Sequence, residues 1–452
     1  VTLSLVLHTH MPYVEGYGVW PSGEEWLWEA MATTYLPLAD VLDRHAPAPL
    51  TVSITPVLAD QLAAPGIGER FRAFCRDLRV RSHGLDADAA DDPAVAAELR
   101  RATAQYADAA DAFDRRGGDV LGALAPHVSW TSSATHAVLP LLATRAGVRL
   151  QVRTGVDAFR DRFGDSWRGG FWLPECAHAP WLDALLEEAG VHATCVDLTD
   201  VLEPDAHLRP LRSAAGPLLV PIDRQTIELV WSDGAYPAAA AYRDSHRLTR
   251  YHHKPWANDG AVYDPARAAE QVAADAAHFV ARVRERTAGG GLCVCALDTE
   301  LLGHWWHEGV QWLEAVLAEA ARQGLELAAL DDALEAVQPV PAPAELPVTS
   351  WGTPRDLWTW SGPQVADLAV AARRAELDVL AGGRRVGARA LRELLALQSS
   401  DWAFLVSRAQ AGPYPRERFD GHLAALRDAL DAGDDGPVRS LAPGVLPSAR
   451  NR

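Results

Sequence analysis

The stretch Leu-Cys-Val-Cys-Ala-Leu-Asp-Thr-Glu-Leu-Leu-Gly-His-Trp-Trp-His-Glu-Gly (292–309) opens with six apolar residues and then sets down Asp298, Glu300 and His304 in quick succession. A short apolar run that ends abruptly in chemistry-bearing side chains reads as a buried parallel strand whose carboxyl end opens on a site. Comparable runs recur at 3–7, 50–54, 194–198, 218–222 and 325–330. The first of them ends in His8 and His10, so it repeats the same arrangement. Amphipathic helices fall between the runs. The clearest begins with Asp264 as N-cap and Pro265 at the first helical position, and it carries Val272, Ala276, Phe279, Val280 and Val283 on one stripe. Strand and helix alternate, which implies an α/β barrel-type architecture with its chemistry at strand ends.

Further along, the pattern changes. An alanine-rich, charged stretch at 91–116 carries few strand signals and reads as a helical excursion from the barrel. Prolines at 339, 341, 343 and 347 mark 338–347 as a linker. Beyond it the periodicity is helical over 365–380, over 388–397 continuing through Trp402, and over 418–432, with a frayed tail after Gly433. The expected division is therefore a catalytic barrel over 1–337 with a helical insertion near 60–120, a helical C-terminal domain over 338–435, and a tail over 436–452.

With 452 residues, 48% of them hydrophobic, the chain can bury a large core. Its formal net charge of -18 argues against nucleic acid or an anionic membrane surface as partner and suits an uncharged polymer. The five cysteines form an odd set with no Cys-x-x-Cys spacing, which points to free thiols and a reducing cytoplasm. The residues at the amino end run straight into an apolar strand, so neither a leader nor a membrane span is expected there. Lys254 is the only lysine, whereas tryptophan is abundant at 16 residues, many of them beside polar or turn residues.

A second carboxylate lies in Gly-Phe-Trp-Leu-Pro-Glu-Cys-Ala-His (170–178). Pro174 restricts the backbone before Glu175, and Gly169 and Gly170 permit close chain approach, so this acid is held on a turn. Two carboxylates among indole and imidazole rings are what glycosidic chemistry needs: one acts as nucleophile, the other as proton donor, and sugar rings stack on tryptophan. Strand alternation puts Asp298 and Glu300 on one face; Asp298, first after the apolar run, is the chosen acid. His8, His10 and His304 are candidates for sugar hydroxyls. A rival reading treats His8 and His10 as the His-x-His metal pair of amidohydrolase-type barrels or deacetylases. Trp351, Trp360, Trp402 and Tyr236 each adjoin Gly, Ser, Asp or Pro, which suits exposed stacking positions, although single aromatics also serve as packing.

Taken with His-Thr-His-Met-Pro-Tyr (8–13), Ala-Thr-His-Ala-Val-Leu-Pro-Leu-Leu (134–142), Ser-Trp-Gly (350–352) and Gln-Ser-Ser-Asp-Trp (398–402), these stretches resemble glycoside hydrolase family 57, and within it the 1,4-α-glucan branching enzymes. The resemblance implies an incomplete (β/α)7 barrel with a helical insertion and an all-helical C-terminal domain, and a retaining mechanism without metal or other cofactor. It implies Glu175 as nucleophile and Asp298 as general acid/base. His10, His136 and Trp172 match residues lining the sugar site; Trp351, Trp360 and Trp402, with Asp401 beside the last, match C-terminal residues near the glucan. Tyr236 falls in the loop that covers the cleft in branching enzymes, but here Ala238 to Ala241 replace the usual residues after Tyr-Pro. An α-glucan hydrolase or 4-α-glucanotransferase of the same family, or a glucan-binding protein without turnover, are the alternatives. Donor and acceptor α-1,4-glucan chains are the implied partners.

Overall fold

The computed structural model describes residues 2–232, 234–383 and 386–432. Its centre is a ring of parallel strands. Thr2–Thr9 (β1) lies between Thr51–Ile54 (β2) and Leu292–Asp298 (β8), and beyond β2 follow Val128–Ser132 (β3) and Phe171–Trp172 (β4). A second sheet holds Ala193–Val196 (β5), Leu211–Arg212 (β6), Leu218–Pro221 (β7) and Val340–Pro341 (β10). Two links join the sheets: a parallel bridge from Gly170 to Ala193, and a bond from Asp223 N to Val294 O of 2.8 Å. The seven strands β1, β2, β3, β4, β5, β7 and β8 thereby form a (β/α)7 ring held closed by two isolated contacts rather than full ladders.

β1 and β8 are buried along both faces, which is why they read as unbroken apolar runs instead of alternating ones. Their register sets His8 directly beside Asp298. Of the run expected at 325–330, only Glu326–Leu327 (β9) pairs with β1, and Leu330 already begins the helix Leu330–Ala336. Asp331 and Asp332 in its first turn favour that early start. β3 and β4 were not expected as strands, because Ser, Thr and Trp interrupt the first and the second has only two residues. The segment expected as a linker at 338–347 contributes β10, which pairs with β6.

The helical excursion is Pro93–Arg115, started by the Asp92 carboxylate accepting from Ala94 N at 2.8 Å. Helices Ala366–Gly382, Ala388–Leu397, Ser400–Ser407 and Tyr414–Ala432 make the C-terminal unit. The helix expected to run from 388 through Trp402 is broken in two at Gln398 and Ser399. There the chain turns so that Ser400 N reaches His136 O at 3.0 Å, and a new helix begins against the barrel. The tail expected after Gly433 lies outside the described residues. Among the described residues, no helix is long and apolar enough to cross a membrane.

Gly170 shows how closely the ring packs next to the carboxylate loop. A Cβ there would sit 2.0 Å from Nε1 of Trp130, which is fully buried and donates that N–H to Asp331 at 2.9 Å. Gly170→Ala should therefore cost about 1–3 kcal/mol of unfolding free energy, read as a lower urea midpoint at unchanged slope. An unshifted midpoint would show that Trp130 has room to move.

Candidate active site

The carboxyl ends of the strands converge on one cluster. Asp298 closes β8, His8 and His10 follow from β1, Thr55 from β2, His136 from β3 and Glu175 from β4. The helical unit adds Trp351, Ser400 and Asp401. Glu175 is positioned by backbone geometry: the turn Pro174–Cys176 holds it at φ 62°, ψ 20°, a left-handed conformation that costs a non-glycine residue on the order of 1 kcal/mol. His136 and Cys176 also have positive φ. Such strain persists where surrounding contacts over-determine it. Trp351 N bonds Glu175 O and Trp351 Nε1 donates to Glu175 Oε2, both at 2.9 Å.

The four rings below the carboxylates form a stack. His8 lies flat on Trp172 with centroids 4.6 Å apart, and His10 lies flat on His136 at 4.1 Å. His8 and His136 share a bond between their Nε2 atoms of 3.0 Å, one ring donating and the other accepting, while their Nδ1 atoms meet Ser53 Oγ at 3.1 Å and Ser400 Oγ at 2.8 Å. Burial drives both imidazoles well below the usual range, with neighbouring imidazoles adding to the effect, so they are neutral. His10 is different. Burial works against its cation, yet Asp401, 3.0 Å from Nε2, together with the charges of Glu300 and Glu175, more than offsets burial and raises it. Asp401 moves the opposite way: burial would raise it, but His10 holds it below the ordinary carboxylate range. Both partners report one ion pair, joining residues 391 positions apart.

Asp298 is pushed well above the ordinary range by burial first, then by the charges of Glu300, Glu175 and Asp401. That direction favours its protonated form, as suits a proton donor. Glu175 is raised too, by burial first and also by Asp401, although hydrogen bonds from Trp351 and Ser400 and the charge of His10 work the other way. Glu300 does not share a strand face with Asp298, because β8 ends at Asp298 and Thr299–Leu301 is a helical turn. Glu300 instead turns inward, accepting from Tyr35 OH at 2.6 Å and His10 N at 3.1 Å, and burial raises it to about 7.

Several expected residues sit elsewhere. Trp402, 1% exposed, is packing: its Nε1 donates to Ala396 O within the helical core, so it offers no exposed stacking face. Trp360, 2% exposed, underpins the loop that carries Trp351, since its ring meets Gly352. Their small or polar neighbours in sequence mark helix starts and turns rather than a cleft. Tyr236 is half-buried, bonded through its hydroxyl to His278 at 2.7 Å and packed on Trp312, both on outer helices. His304 lines a separate cavity with Lys254 and Trp305. Trp306, expected beside Asp298, packs on Tyr242 and Trp312. His8 and His10 do not form a shared metal pair, since each spends both ring nitrogens on protein partners. Ser400 and Tyr35 were missed as site residues. Ser400 stood inside a quoted motif; Tyr35 lies mid-helix with no local signal.

The family model described as Glycosyl hydrolase family 57 matches residues 130–344, and that described as 1,4-alpha-glucan branching enzyme, C-terminal, matches 365–441. A probable 1,4-alpha-glucan branching enzyme of Mycobacterium tuberculosis is 35% identical, over 98% of this chain and 94% of the relative. One from Thermococcus kodakarensis is 32% identical over 92% and 71%. The crystal structure of a GH57-type branching enzyme from Pyrococcus horikoshii superposes with TM-score 0.87 at 30% identity, covering 99% of this chain and 94% of that one. An α-amylase from Thermotoga maritima, at 24% identity and TM-score 0.79 over 99% and 96%, shares the fold.

The ion pair at His10 gives a direct test. Asp401→Asn removes the charge that holds the imidazolium, so His10 should titrate at lower pH than in the parent when its ring protons are followed by NMR. The same titration in both proteins would mean that Asp401 does not set the charge of His10.

Proposed function

The chain belongs to glycosyl hydrolase family 57, and from that footing we propose that it is a 1,4-α-glucan branching enzyme with Glu175 as nucleophile and Asp298 as general acid and base. The observation that carries the assignment is the contrast between the two acids. Glu175 is gripped by Trp351 on a strained turn and faces hydrogen-bond donors and the His10 cation. Asp298 is raised by burial and by surrounding carboxylates, Glu175 among them. One acid is arranged to attack and the other to give up a proton.

In the first step a Glu175 oxygen attacks C1 of an α-1,4-linked glucosyl unit while Asp298 protonates the departing O4 of the next unit. The glycosidic bond breaks, a C1–O bond to Glu175 forms, and the shortened chain leaves. Asp298, now a carboxylate, takes the proton from the 6-hydroxyl of an acceptor chain. That oxygen displaces Glu175 at C1, giving an α-1,6 branch and restoring both acids. His8 and His136, each with both ring nitrogens bonded to protein groups, hold the stack beneath the acids in place, and Trp172 meets Trp351 edge to face at 5.1 Å.

Within this reading residues up to 337 form the catalytic barrel with its insertion, and the helical unit beyond 338 completes the cleft. Five free, buried thiols support a reducing cytoplasmic setting. Donor and acceptor α-glucan chains are the partners, and the acidic surface suits neither nucleic acid nor an anionic membrane. A second reading, α-glucan hydrolysis or 4-α-glucan transfer, is favoured by one observation: Tyr236 is tied to His278 and Trp312 on the outer helices, so a covalent intermediate is more open to water.

Two experiments decide. Incubation with amylose followed by enzymatic debranching should release new short chains, and Glu175→Gln should lower that rate at least about a thousandfold; rising reducing ends without new branches assigns hydrolysis. Glu300→Gln removes a negative charge that raises Asp298. The alkaline limb of kcat/KM, which reports loss of the Asp298 proton, should therefore move to lower pH. A limb that stays in place assigns the acid to another group.

A further inference from the structure

A cavity of about 440 Å³ lies outside the ring of catalytic groups, between the helical insertion and the barrel. Its two long walls are helical. Glu29 and Arg44 lie at the ends of one wall and Leu99 and Arg115 at the ends of the other. Fifteen residues of helix span roughly 22 Å, so the space is a trench rather than a pit. One end begins at Gly303, His304 and Trp305, where Trp305 N bonds Glu300 O at 3.3 Å, within a few residues of Asp298. The wall that contains Glu29 is the same helical run that sends Tyr35 to Glu300.

We propose that this trench seats an α-glucan arm beyond the reacting sugar, an inference that rests on the α-glucan reading above and adds a second binding site to it. The charges lining it cancel. Arg44, Arg115, Arg243 and Lys254 are balanced by Glu29, Asp40, Asp108 and Glu314. Four pairings already use part of these: Arg44 with Glu314, Arg243 with Glu98, Glu29 with Arg79, and Asp40 with Arg116. An anionic or cationic ligand gains nothing from such a wall, whereas a neutral polyol does. The imidazoles agree, since burial lowers His83 and His304 to about 4, leaving both neutral at pH 7. A neutral imidazole offers one donor and one acceptor, as hydroxyl recognition requires.

Three groups stand ready for a ligand. Nδ1 of His304 is buried without a hydrogen-bond partner. Lys254, the only lysine of the chain, donates to His304 O at 3.3 Å and has further N–H groups to give. Trp305 is 53% exposed beside them, edge-on to His304 at 5.1 Å, and presents an indole face at the mouth. An orphaned polar atom, a spare ammonium and an open indole at the head of a charge-neutral trench match a chain of sugar rings.

The test fills the trench from its rim. Gln105 on Pro93–Arg115 and Gln311 on Gly309–Gln323 are exposed residues lining the trench, and Gln105→Trp with Gln311→Trp should raise KM for amylose at least tenfold relative to KM for maltotetraose, which is too short to reach past the reacting site. Glu175→Gln protein titrated with maltoheptaose should show two binding events, one of them lost when the trench is filled. If the filled protein does not fold, Lys254→Ala removes donors without adding bulk and should shift the same KM ratio in the same direction. An unchanged ratio in a folded variant, or a single binding event, overturns the trench. Absence of any action of the parent protein on amylose would instead overturn the α-glucan reading on which the trench rests.

Discussion

The contact between His10 and Asp401 is the constraint around which the site is organised. It joins the end of the first strand to the first turn of a helix almost four hundred residues later, and it raises His10 while burial lowers the His8 and His136 imidazoles stacked with it. Beside it, Ser400 holds His136 and meets Glu175. The barrel alone therefore provides two acids and the C-terminal helices provide their electrostatic setting. Charge separation within a buried cluster is stable only where each ion has a fixed partner, and here the partners come from different layers of the fold.

That division separates two carboxylates that have similar surroundings in sequence. Both lie among aromatic and imidazole residues, and burial raises both. What separates them is the sign of their neighbours. Asp401 raises both, but Glu175 also has hydrogen bonds from Trp351 and Ser400 and the His10 imidazole close by, whereas the charges acting on Asp298 are those of Glu300, Glu175 and Asp401. Neither identity of the residue nor hydrophobicity of its flank decides the matter; the partners converge only on folding.

The long strands and the two acid-bearing segments could be read directly, because a buried parallel strand writes itself as an apolar run and a turn writes itself in Pro and Gly. β3 and β4 could not, since neither has enough consecutive apolar residues to give a period. Tyr236, Trp360 and Trp402 look like cleft residues from their neighbours in the chain, yet burial of an aromatic ring is settled by tertiary packing. His304 is expected at the sugar site from its place beside the acids in sequence, but the turn after Asp298 carries it into another cavity. Tyr35 had no signal at all: a hydroxyl in mid-helix acquires meaning only when Glu300 folds back onto it.

The left-handed backbone at Glu175 has a bearing on how this lineage can change. Glycine tolerates that geometry without penalty, whereas glutamate does not, so a descendant with glycine at 175 would adopt this turn more easily. Retention of glutamate at 175 has to come from what its carboxylate does, because the backbone of this turn pulls the other way. Silent, well-folded descendants of such a barrel are therefore a natural end point once demand for its product lapses.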